Sequence, residues 1–205
     1  LRSPIGTLKM VFNMLSINLT QEQIGEDNME MITMGNNITE STFMLLDNLL
    51  KWTKSQIGRM NTVFQEVDIS EVVVFASKMS DLVAQVKNIA VEYDIPGPIT
   101  VPCDVDMVKT IMRNLMSNAM KFTRDTIWLE LCRDEGTAVV RVRDNGAGLD
   151  DRDAGRIFDP FVQGSNNTLS AGSGIGLALA QALARKNKGE IELDRSCGQG
   201  AVFVL

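Results

Sequence analysis

Asn114, Asn118 and Lys121 stand at i, i+4 and i+7 in the stretch Met107 to Thr123 (MVKTIMRNLMSNAMKFT), so on an α-helix they form one narrow stripe. Asparagine is a mediocre helix former because its amide competes for backbone hydrogen bonds, and two in line ask for a reason. Carboxamide oxygens can ligate a hard cation such as Mg²⁺, and an ammonium one turn on can meet phosphate oxygens as a point charge. A solvated helix face is the plainer alternative. Val108, Ile111, Met112, Leu115, Met116 and Ala119 share the other side, an apolar face that has to be buried.

Asp144 to Gly148 (DNGAG) directly follows a strand-like alternation. Asn-Gly is a strong turn signal, so one reading is a hairpin turn. The other is a binding loop: an aspartate ending a strand can accept a hydrogen bond from a purine's exocyclic amine, and Gly146 and Gly148 let backbone approach the ring. Gly172 to Leu177 (GSGIGL) opens an amphipathic helix, where backbone amides and the helix dipole favour phosphate. It lacks the Gly-Lys-Ser/Thr of a Walker loop, and its spacing is not that of a dinucleotide fingerprint. Gly172, Gly174 and Gly176 can equally serve as the hinge of a cover, because residues 162–171 (VQGSNNTLSA) are polar and poor in helix formers. Phe158 and Phe161, in RIFDPF, read alone as core; between the two loops they can anchor the base of that cover.

Composition narrows the chemistry. The chain has no histidine, which removes serine-histidine triads and histidine-metal centres. Cys103, Cys132 and Cys197 are isolated and free of CxxC spacing, which predicts reduced thiols, a cytoplasmic location and no zinc site. A formal charge of −6 argues against a nucleic-acid surface. No apolar run approaches the length of a membrane span, so no membrane contact is expected within the chain.

The elements that must position these residues follow from periodicity. Leu1, Ile5, Leu8, Phe12 and Leu15 repeat as a heptad seam, and a second helix carries Met31, Ile38, Leu45 and Trp52 every seven residues. Leu46, Leu49 and Leu50 widen that second face beyond what two helices can bury, so a second copy is expected to complete a four-helix bundle. At Gly58 to Asn61 the heptad stops and a hinge is expected, with one domain at 1–58 and another at 59–205. Beyond it the pattern predicts a strand at 63–67, a helix from Ile69 to about Val86 capped by Asp68, and strands at 90–93 and 99–101. The asparagine helix comes next, then a hairpin of 126–132 and 137–143, helices at 151–157 and 174–185, and a closing hairpin of 190–193 and 201–205. Blocks of strands and helices without regular βαβ alternation suggest an α+β sandwich.

The order of motifs carries more than any one of them. NLMSNAMKFT, DNGAGL, RIFDPF and GSGIGLALA resemble the N, G1, F and G2 boxes of sensor histidine kinases, and GQGAVFVL looks like their third glycine box. LRSPIG, with Ser3 and Pro4, resembles the remnant of an H box that directly follows the phosphoacceptor histidine. The resemblance implies a dimerising helical hairpin joined to an α+β sandwich of the Bergerat (GHKL) ATP-binding type. It implies ATP and Mg²⁺ as cofactors, with Asn118 on the metal and Asn114 and Lys121 near the phosphates. Phe122 would border the base and Asp144 would bind the adenine amine. Gly146, Gly148, Gly172, Gly174, Gly176 and Leu177, with Phe161, would shape the pocket and its cover. It further implies a homodimer through 1–58, a phosphoacceptor histidine upstream of Leu1, and transfer to an aspartate of a response-regulator receiver domain. Three further departures are visible: Ser3 stands where phosphatase-active relatives often carry threonine or asparagine, no basic residue lies between Phe161 and Gly172, and the join from Thr123 to the strand at Thr126 is shorter than the family's usual one. A GHKL-type ATPase of the Hsp90, MutL and type II topoisomerase group, and a nucleotide-binding dimer scaffold without phosphotransfer, are the alternatives.

Overall fold

The computed structural model describes residues 2–18, 25–58, 60–162, 174–195 and 200–205, with the side chains of residues 2–4, 16, 18, 26 and 27 also outside the description. The chain divides into two units, Leu1–Lys54 and Ser55–Leu205.

The first unit is a pair of helices, α1 (Arg2–Asn18) and most of α2 (Glu26–Gln56). Their pairing is antiparallel: Gly6 meets Phe43, Lys9 bonds Glu40 at 2.6 Å, and the Phe12 ring fills the notch left at Gly35. A Cβ at Gly35 would come within 2.4 Å of that ring. The heptad residues Leu8, Leu15, Met31, Ile38 and Leu45 remain exposed in the single chain, which leaves the apolar surplus of the sequence uncovered.

In the second unit, β1 (Gln65–Asp68) pairs antiparallel with β3 (Thr100–Cys103), both displaced by a residue or two from the strands expected at 63–67 and 99–101. The reason at β1 is that the Val63 N–H bonds Asp104 Oδ2 at 2.9 Å instead of entering the ladder. Asp68 caps α3 (Ile69–Lys78) by accepting from the Ser70 N–H at 3.0 Å. The single helix expected to about Val86 is two: the Ser80 N–H closes back on Ser77 O, ending α3, and α4 runs Asp81–Val86.

The larger sheet has the order β2 (Ala90–Asp94), β4 (Thr126–Asp134), β5 (Thr137–Asp144), β7 (Val202–Val204), β6 (Glu192–Asp194). Only the β2–β4 pair is parallel. Glu135 and Gly136, both at positive φ (45° and 89°), form the tight connection between β4 and β5 that the sequence signals. Period-two alternation turns Ile127, Leu129, Leu131, Val140 and Val142 to one buried face. Against it lies α5 (Val105–Phe122), which packs in turn on α3 and on α7 (Gly176–Lys186); a short α6 (Asp151–Ala154) precedes α7. Ile111, Met112, Leu115 and Met116 of α5 and Leu179 of α7 are completely buried. Each such side chain contributes about 1.5–3 kcal/mol. This core fixes α5 and α7 side by side.

Candidate functional site

The site is built along α5 from Asn114 to Phe122: its last turn meets the loop after β5, which also meets the residues that lead into β7, and Asn114 meets the first residue of α7. Asp144, the last residue of β5, is 4% exposed. Its Oδ1 accepts from the Gly146 N–H at 2.8 Å and the Ala201 N–H at 3.3 Å. Its Oδ2 accepts no hydrogen bond among the described residues and is left for a donor from outside. Burial pushes the Asp144 carboxyl above its ordinary value, and the two N–H donors oppose that rise only in part.

The glycines around it are imposed by closeness. A Cβ on Gly146 would lie 2.1 Å from Phe122 O, and one on Gly148 would lie 2.9 Å from Gly200 O. Gly200 is the tightest: its Cβ would meet Asp144 O at 1.8 Å, and its φ of +81° is one that side-chain-bearing residues rarely adopt. Asp144 is therefore clamped between the loop that follows it and the strand that runs beside it.

The stripe on α5 is not a solvated face. Asn114 is buried, its Nδ2 donating to Thr110 O at 2.8 Å. Its Oδ1 lies 2.9 Å from where a Cβ on Gly176 would stand, so the first residue of α7 sits directly on this amide. Asn118 and Lys121 follow, each half-buried. Burial pulls the Lys121 ammonium below its ordinary pKa, and its Nζ lies 4.8 Å from the centre of the exposed Phe122 ring. The N-cap residue Ile175 gives α7 no side-chain cap, and among the described residues the N–H groups of its first turn, which Gly176 and half-buried Leu177 begin, point where phosphate is favoured.

Phe161 is exposed with φ at 67°, and its N–H donates to Gly174 O at 2.9 Å. This bond ties together the two ends of residues 162–173. Phe158 provides the second anchor, edge-on to Phe203 with ring centroids 6.3 Å apart. Gly172 and most of the expected cover lie outside the described residues. Ser3 and Pro4 belong to the backbone of α1, and their side chains are likewise outside the description. Asn145, Ala201 and Gly200 are functional neighbours that no local pattern marks individually, although Asn145 lies inside DNGAG and the other two inside the closing motif.

No cluster of three or more histidine, cysteine, aspartate or glutamate side chains suited to a metal occurs among the described residues. A Mg²⁺ ion held by one amide oxygen and the phosphates of its nucleotide needs no such cluster, and the half-buried Asn118 beside Lys121 fits that type of site.

The chain belongs to the histidine kinase-, DNA gyrase B- and HSP90-like ATPase family, whose model matches residues 103–205. Among curated relatives it is 28% identical over 162 residues to the signal transduction histidine-protein kinase AfsQ2 of Streptomyces coelicolor, covering 78% of this chain and 29% of the relative. It is 24% identical to the sensor histidine kinase GraS of Staphylococcus haemolyticus, covering all of this chain and 57% of that protein. Among solved structures, full-length ShkA in complex with AMPPNP superposes with a TM-score of 0.77 at 25% identity, over 99% of this chain and 42% of ShkA. The Acinetobacter baumannii histidine kinase AdeS gives 0.70 at 17% identity, over 98% and 92%. The chain thus spans well under two thirds of the first curated relatives it matches. No described helix is long and apolar enough to cross a membrane.

Proposed function

We propose that this chain is the catalytic core of a two-component sensor histidine kinase, which binds Mg-ATP and transfers its γ-phosphoryl group to a histidine and thence to a response-regulator aspartate. The observation that carries the reading is Asp144: a buried carboxylate, clamped by Gly146, Ala201 and Gly200, with one oxygen left over to accept the adenine amine. Phe122 borders the base. Asn114 holds α7 in place, and Lys121 and the first-turn amides of α7 meet the phosphates. Gly174 and Phe161 tether the cover. Asn118 would hold the Mg²⁺, which when bound offsets charge on the transferring phosphoryl group. The protein's share is positioning: it lines the phosphate up with an incoming nucleophile and surrounds the developing charge with fixed donors.

The chain itself carries no histidine, so the acceptor is supplied by residues outside it. The exposed heptad residues of α1 and α2 support a homodimer in which a second copy covers this face. The test is to extend the chain upstream through the expected histidine and incubate it with γ-labelled ATP and Mg²⁺. Acid-labile, alkali-stable label on the protein is the expected result. Release of free phosphate without a phosphoprotein would favour the ATPase alternative, and nucleotide binding alone the scaffold.

A further inference from the structure

The geometry points to Asn145 as a positioning residue for nucleotide binding: a side chain that never meets the ligand but locks the Thr123–Thr126 connection onto the loop of Asp144. The inference rests on the nucleotide-site reading above and adds a residue that reading does not use.

Asn145 lies between the two pieces of backbone that would hold the base. On one side is Asp144, whose buried carboxylate sets the hydrogen-bond acceptor. On the other is the end of α5, where Phe122 is followed by the short link Thr123, Arg124, Asp125 into β4. The Asn145 Oδ1 sits at the centre of that link. The Thr123 hydroxyl is 2.7 Å away, and the N–H groups of Arg124, Asp125 and Thr126 are at 3.1, 3.3 and 3.3 Å. One oxygen cannot bond strongly to four donors. The Thr123 proton is also shared with Thr126 O at 2.7 Å, so the shortest contacts dominate and the longer ones follow from the tightness of the turn. The Asn145 Nδ2 donates to Asp125 Oδ1 at 2.8 Å, and because a carboxylate only accepts, this bond fixes which end of the amide is which. The Asp125 carboxyl is held below its ordinary value by the Thr126 hydroxyl first and the Asn145 amide second.

Burial shows what this cluster is for. The bonds to Arg124, Asp125 and the Asp125 carboxylate are solvent-exposed, so water can replace each of them, while those from the Thr123 hydroxyl and the Thr126 N–H are part-buried and are replaced less readily. What water cannot replace is the tether. Gly146 approaches Phe122 O so closely that a Cβ there would lie 2.1 Å from it, and this approach leaves room for no side chain between Phe122 and Asp144. Asn145, one residue before Gly146, holds the strand-end loop and the helix-end link at that spacing. Losing it lets Phe122 and Asp144 move apart, which weakens the base end of the site and leaves the phosphate end on α7 untouched.

The test compares binding of MgADP and of adenosine to the full chain by calorimetry. Asn145→Ala is expected to weaken both by a similar factor, roughly tenfold or more, which corresponds to about 1.4 kcal/mol. Equal loss for adenosine marks the base end, which a general loosening of the site would not single out. Asn145→Asp alone is expected to weaken binding too, because two carboxylates then face each other where the amide donated. The exchanged pair, Asn145→Asp with Asp125→Asn, restores a donor opposite an acceptor and is expected to bind within about threefold of the parent. If Asn145→Ala fails to fold, this rescue by exchange carries the test alone. Binding by Asn145→Ala within twofold of the parent, or an exchanged pair no better than Asn145→Asp, overturns the inference. Asp144→Asn separates the two levels: if it abolishes binding while Asn145→Ala does not, only the positioning role fails. If Asp144→Asn binds normally, the site reading falls and this inference with it.

Discussion

At the scale of single residues, the site depends on a buried carboxylate whose ionisation the fold opposes. Burial raises the Asp144 carboxyl above its unfolded value of about 3.8, so the folded state holds its proton more tightly. The contribution to stability therefore falls as pH rises from the unfolded value through the folded one. Asp144→Asn removes that slope. We expect its melting temperature at pH 7 to equal or exceed the parent's, with the difference narrowing toward pH 4, while MgADP affinity drops at least 100-fold. Thermal melts across pH and calorimetry check both halves. A variant that lost stability as well would mean the carboxylate serves packing and not a ligand. Gly200 is the opposite case, needed by the fold before the ligand. Gly200→Ala places a Cβ 1.8 Å from Asp144 O at φ +81°, and combined overpacking and backbone strain should cost about 3 kcal/mol in chemical denaturation.

At the scale of elements, α5 and α7 form the working pair, and the two faces of α5 carry separate duties. Leu115 is completely buried, so Leu115→Ala should cost about 2–5 kcal/mol in urea titration through the cavity it leaves. Asn118 stands on the half-buried face. Asn118→Ala should change stability by no more than about 0.5 kcal/mol. It should erase the gain in ADP affinity that Mg²⁺ gives the parent, read by titrating ADP with and without the cation. An unchanged Mg²⁺ dependence would move the metal ligand elsewhere.

At the scale of the whole molecule, the helical pair presents an exposed apolar face. Ile38 is 60% exposed in the single chain although its heptad position marks it as a core residue. A charge at the centre of the proposed dimer face would stay buried and unpaired, so Ile38→Lys should convert a dimer to a monomer at micromolar concentration in sedimentation experiments. A parent that sediments as a monomer would remove the dimer from the proposal.

Much of this architecture was legible because it rests on local periodicity. The heptads of α1 and α2, the 3.6-residue face of α5 and the alternation of β4 and β5 all follow from patterns that repeat within a few residues. The Asp68 cap and the Glu135-Gly136 turn follow from residue chemistry at one position. The break between α3 and α4 was not legible, because Ser77 and Ser80 act through a backbone closure that the surrounding apolar pattern hides. For the site, spacing identified the stripe on α5, the aspartate loop and the glycine run. It left open whether the stripe faced solvent, since the answer lies in Gly176, more than 50 residues along the chain, resting on the Asn114 amide. Gly200 and Asn145 were likewise invisible as working residues. A glycine pair before a closing strand and an Asn-Gly turn have ordinary local explanations, and only the tertiary structure brings Gly200 against Asp144 and Asn145 against the Thr123–Thr126 link. The sequence by itself determined which chemical groups exist and which element carries each. Long-range packing, which no local pattern encodes, decided which of them meet.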